Sequence, residues 1–185
     1  MNIFVLNEDP SQAARDMCNK HVVKMLVETA QILSTAFRLK MEEHTGVPDR
    51  QESFNRLYKA THRKHPAIQW TMESVHNTDW VWQHAEALYR EYVERYKKHH
   101  KTGQVLNEFN GLRWLMWQGY GAWQQHTPFV QCMPNELKGA DAVEAYQRYY
   151  ITSKARFARW APRARPPAWW PFNEQVQSNL IGITP

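Results

Sequence analysis

Across residues 9–40 the apolar side chains return every three or four positions, a spacing that fits an amphipathic α-helix and no strand. Asp9 reads as its N-cap, Pro10 as its first helical residue and Gln12 as the residue three beyond the cap. The pattern stops before "HTGVPD". A second helix is expected near residues 50–60, and a third starts in "KHPAIQWTMES" with Pro66 in its first turn. "HNTDWVWQHAEALYREYVERYKK" gives a long fourth, with a break from the third near Asn77. In "QVLNEFNGLRWLMWQGYGAW" three glycines weaken a helical pattern and leave it ambiguous. "TPFVQCMPNELKG" reads as loop, "DAVEAYQRYYITSKARFARW" as the last helix, and "APRARPPAWWPF" as an extended tail. "IFVL" near the start is a short strand or an extended anchor. The class is all-α, one domain over residues 1–185, with no repeat and no linker.

Composition narrows the partners. The apolar runs are a few residues long against the ~20 a membrane span needs. The start lacks a basic leader and a cleavage pattern. Cys18 and Cys132 are too few for a disulfide framework, which fits a reducing cytoplasm. Asn2 is too large for easy methionine removal, so Met1 is expected to stay, which disfavours a mechanism needing an amine at residue 2. The net charge is +5 with 9 Trp and 13% aromatic residues. From residue 145 to 173 there is no acid, while Arg148, Lys154, Arg156, Arg159, Arg163 and Arg165 are interleaved with Tyr149, Tyr150, Phe157, Trp160, Trp169 and Trp170. Cations threaded with flat rings suit nucleic acid.

The chemistry-bearing residues gather on "CNKHVVKMLVE". At ~100° per residue, Val22, Val23, Leu26, Thr29, Ala30 and Leu33 share one face, and Lys20, His21, Lys24, Glu28 and Gln31 share the other. Lys20 and Lys24 are like charges one turn apart, unfavourable unless an anion lies over them. Glu28 can position Lys24, and His21 can exchange protons near neutral pH. On the last helix Lys154 sits at the edge of the aromatic face, where it either snorkels or points into a cleft. No histidine pair has a metal-ligand pattern, and no phosphate-cradling or dinucleotide motif is present, so neither metal nor cofactor is expected.

Taken in order, "KHVVKM", "HPAIQW", "SVHNTDW", "EYVERY", "MP", "AYQRYY" and "ARFARW" resemble a family of small helical proteins of tailed bacteriophages. The nearest resemblance is to proposed amino acid:DNA transferases of thymine hypermodification, and similar sequences also carry the label pyrimidine-dimer DNA glycosylase. It leads one to expect an aspartate where this chain has Asn19. The resemblance implies a site of Lys20, His21, Lys24, His65, Trp70, Asn77 and Lys154. Lysines would neutralise a leaving phosphate, His21 would act as base and Glu28 would orient it or Lys24. A pyrimidine swung out of the duplex would stack on Trp70 or Tyr150. Arg148, Arg156, Arg159, Arg163 and Arg165, with Trp160 and Trp169, would hold the DNA. The implied partners are DNA and a small amine or amino acid, in the cytoplasm of an infected bacterial host.

Two other readings stand beside the transferase. A pyrimidine-specific DNA glycosylase would use Lys24 or Lys154 as a Schiff-base amine. A non-catalytic nucleic-acid binder would keep its affinity when His21 or Lys24 is changed, and lose it without Arg156 and Arg159.

Overall fold

The computed structural model describes residues 1–44, 51–118 and 125–172. Seven α-helices form there: α1 (Pro10–Asp16), α2 (Asn19–His44), α3 (Gln51–Arg56), α4 (Pro66–Glu73), α5 (Val75–Tyr96), α6 (Thr102–Gln118) and α7 (Ala142–Lys154). A single 3-10 turn (Asn135–Leu137) precedes α7. Among the described residues there is no strand, and no helix is long and apolar enough to cross a membrane. The protein is all-α, as the periodicity requires, and forms one compact domain.

Helix α2 runs through the middle, with α4, α5 and α6 packed around it and α1 laid against α5. Its inward face is Val22, Met25, Leu26, Thr29, Ala30, Leu33 and Phe37, all buried. Residues 3–6 are the anchor of the two forms expected: Ile3, Val5 and Leu6 are inaccessible to solvent but pair with no strand. Asp9 caps α1 by accepting the Gln12 amide at 2.6 Å, as the sequence indicates.

The expected first helix is two helices. The chain turns extended at Met17, and the Cys18 amide that the break exposes donates to the Tyr150 hydroxyl at 3.0 Å. Arg95 of α5 closes the same junction, donating to the Met17 and Arg15 carbonyls at 2.7 and 2.8 Å. "RDMCNK" contains neither Gly nor Pro, so the break comes from partners far along the chain. The third and fourth helices part at Ser74, whose hydroxyl accepts the Asn77 amide at 3.0 Å. The ambiguous glycine-bearing stretch is helical through Gln118; residues 119–124 lie outside the described residues. Helix α7 ends at Lys154, shorter than expected.

The chain after α7 folds back on the α1–α2 junction. Trp160 donates its indole N–H to the Asp16 carbonyl at 3.1 Å, and Trp169 donates to the Asp16 carboxylate at 2.8 Å. Asn19 receives this return segment, donating to the Trp160 carbonyl at 2.8 Å. That return carries Arg156 and Phe157 to the start of α2.

Candidate functional site

Asn2 fixes the amino end of the chain. Its Oδ1 accepts from the Ile3 amide at 2.8 Å and the Tyr146 hydroxyl at 3.1 Å, and its Nδ2 donates to the Cys132 carbonyl at 2.8 Å. This scaffold brings the backbone to Glu28 on α2. The Glu28 carboxylate accepts the Asn2 amide at 3.1 Å and lies 3.8 Å from the Met1 ammonium. One turn back on α2, Lys24 Nζ lies 3.4 Å from its other oxygen. A carboxylate thus stands between two amines. His65, at the cap of α4, closes the far side: Nδ1 accepts the Ala67 amide at 3.2 Å, and the ring lies near Met1 and Glu28. Burial, then the Met1 ammonium and His62, push the His65 pKa down, with Glu28 opposing.

Two turns before Glu28 lies an open groove of about 550 Å³, lined by Lys20, His21, Lys24, Arg156 and Phe157. Lys154 stands nearby: its Nζ donates to the Tyr149 hydroxyl at 3.1 Å, over the Tyr149 and Phe4 rings. It is close enough to bias His21. Lys20 and Arg156 flank the Phe157 ring at 5.7 and 5.8 Å from its centroid.

His21 departs from the exposed edge expected of it. It is 5% exposed, enclosed by Phe4, Tyr150 and Phe157 at ring separations of 4.9, 5.1 and 5.3 Å. Burial first, then Lys154 and Lys24, hold its pKa down to about 3. A neutral imidazole with so weak a grip on a proton is a poor general base at neutral pH. The wheel puts it beside Lys20, but rings from both chain ends cover that edge.

Lys154, the buried His21, Lys24, Glu28 and His65 therefore follow one another as neighbours, with Lys20 on the groove. Asn77 does not join them: wholly buried, it donates to the Trp70 carbonyl and to Thr127 at 2.8 and 2.6 Å and braces the α4–α5 joint. Trp70, expected to stack on a base, is 2% exposed and packs on Trp80 and Phe129. Tyr150, expected to stack on a base, is fully enclosed, and Trp160, expected to hold the DNA, is nearly so, which leaves neither ring free to do so. Trp169 is half-buried with its N–H committed to Asp16. Arg148 donates to the Leu137 carbonyl, Arg159 to that of Ala158 and Arg163 to that of Arg95, so these three are partly occupied within the fold. Arg156 and Arg165 are exposed.

Sequence reasoning passed over Phe4, read Tyr149 and Phe157 only as rings of a DNA-binding stretch, and gave Asn2 and the Met1 ammonium no place in the site. One signal for the last was present. An apolar "IFVL" two residues from the start must be buried, and burying it fixes the terminus beside it.

A family described as pyrimidine dimer DNA glycosylase matches residues 1–104. No curated protein and no solved structure matches the chain. The matched stretch contains Met1, Lys20, Lys24, Glu28 and His65, and stops before Arg156 and Phe157. Because it spans more than half of the 185 residues, the chain belongs to the pyrimidine dimer DNA glycosylase family.

Proposed function

We propose that this protein excises a dimerised pyrimidine from DNA by attack of an amine at Glu28 on the sugar. The observation that carries the reading is the carboxylate between two amines, Lys24 Nζ at 3.4 Å and the Met1 ammonium at 3.8 Å, beside a cationic groove. Glu28 takes a proton from the attacking ammonium and faces the positive charge that builds at C1′ as the glycosidic bond weakens. The amine lone pair forms a bond to C1′, and the glycosidic electron pair leaves with the pyrimidine, which is then protonated by water. Opening of the sugar ring, with loss of a further amine proton, leaves an imine to the protein. Lys20 and Arg156 hold the strand through its phosphates.

The transferase reading that leads in the sequence analysis moves below this one. It asks a base to strip a proton from the incoming amine, and His21 is too weakly basic for that work. The family description names a glycosylase and no co-substrate amine.

Borohydride added during incubation with a dimer-containing duplex is expected to trap a covalent protein–DNA product. Peptide mapping then places the bond on Lys24 or on the Met1 amine. Glu28→Gln is expected to reduce excision by ~10²-fold or more. Absence of any trapped product, together with amine incorporation into phosphorylated hydroxymethyl-uracil DNA without strand scission, would reinstate the transferase.

A further inference from the structure

Across Glu28 from the groove lies a second hollow of about 520 Å³, formed by residues 60–65 ahead of α4. We propose that this loop is a second binding site for DNA phosphodiesters, so that the substrate strand runs along α2 and is gripped on both sides of Glu28. The proposal rests on the glycosylase reading and names the path of its substrate.

The loop is built rather than slack. Thr61 donates its amide to Thr35 Oγ1 of α2 at 3.3 Å, and Gln69 of α4 donates to the Arg63 carbonyl at 2.8 Å. His62 sits in the left-handed region at φ 49°, with its ring nitrogen 2.9 Å from Thr61 Oγ1 and its carbonyl accepting the His65 amide at 2.7 Å. Arg63 is held by Glu42, which neutralises it. His62 and Lys64 remain exposed at the rim, and among the described residues Lys64 has no ion pair. At the inner end His65 lies near Met1 and in the field of Glu28.

The spacing suits a strand. Lys20 lies eight residues before Glu28, or ~12 Å along the helix axis, and phosphates of one strand recur every ~3.4 Å along the duplex. The groove therefore holds the backbone roughly three phosphates from the reacting sugar, and the loop takes it on the other side. One cationic contact fixes a point on the strand; two fix its direction and hence which face of C1′ meets the amine.

The test reads binding on a duplex carrying a reduced abasic analogue, which cannot be excised, across a salt series. Lys64→Gln and Arg156→Gln are each expected to lower the slope of log K against log salt by about 1, with thermal melting unchanged. Duplexes shortened from one end should lose the Lys64→Gln effect and keep that of Arg156→Gln; shortening from the other end should reverse the pair. A slope unmoved by Lys64→Gln on the full duplex overturns the proposal, as does loss of both effects on shortening the same end. Borohydride trapping that succeeds beside a silent Lys64 sinks this path and spares the glycosylase. Two separable grips on DNA that is never trapped do the reverse.

Discussion

A proton on His21 would sit inside a box of Phe4, Tyr150 and Phe157, with Lys24 and Lys154 repelling it. The fold therefore favours the neutral ring, as it does for the fully buried His84, whose pKa burial holds to about 4. The sign follows directly. Both folded pKa values lie below that of an unfolded histidine, ~6.5, so protons bind the unfolded chain more readily. Stability is undiminished above pH ~6.5 and falls as the pH drops from there toward 4 and 3, by about 1.4 kcal/mol per pH unit for each histidine. Urea unfolding between pH 6 and 5 should show this slope, and His21→Phe should remove one proton's share of it. An unchanged slope in that variant would mean that the ring is not neutral in the fold. Asn2 makes a second residue-scale case. Asn2→Ala leaves the Ile3 amide and the Cys132 carbonyl without their partners, at about 1–3 kcal/mol for each unsatisfied group. It should also lower excision, because Glu28 then faces an amino end free to wander.

Among the elements, α1 and α2 are the instructive pair. Their caps and apolar faces are written locally: Asp9 and Pro10 start one helix, and Val22, Leu26, Ala30 and Leu33 set the inward face of the other. The break between them is not, because the groups that stabilise it, the Tyr150 hydroxyl and the Arg95 guanidinium, lie more than 70 residues away. Tyr150→Phe tests this. It strands a buried amide with no change in apolar packing, and it should destabilise by about 1–3 kcal/mol in urea unfolding. A neutral result would mean that the junction does not need the hydroxyl. The candidate site was legible to the same extent. Lys20, Lys24 and Glu28 share an edge by spacing alone, and the structure keeps them together. What spacing could not supply is the cover laid over that edge by Phe4 from one end of the chain and Phe157 from the other. That cover buries His21 and makes the groove. Tyr150 and Trp160 went the opposite way: aromatics in a basic stretch read as DNA contacts, yet α7 turns Tyr150 into the core and the return segment buries Trp160. Asn19 is of this kind too, since its side chain braces the return segment through the Trp160 carbonyl.

At the scale of the whole molecule, the family match and the folding unit have different edges. Residues 1–104 carry the amines, the carboxylate and the loop before α4, but Phe109, Leu112, Tyr146, Tyr150 and Trp160 complete the core they rest on. A fragment of residues 1–104 should show little cooperative melting by circular dichroism, whereas the full chain should melt in one transition. Cooperative melting of the fragment would make the remainder an accessory. The first two residues carry a practical lesson as well. Any affinity handle fused ahead of Met1 turns an ammonium beside Glu28 into an amide and threads foreign peptide past the carboxylate, leaving Lys24 to serve there. Under the proposed excision, purifying the same protein with and without such a handle thus becomes an assay of which nitrogen attacks the sugar.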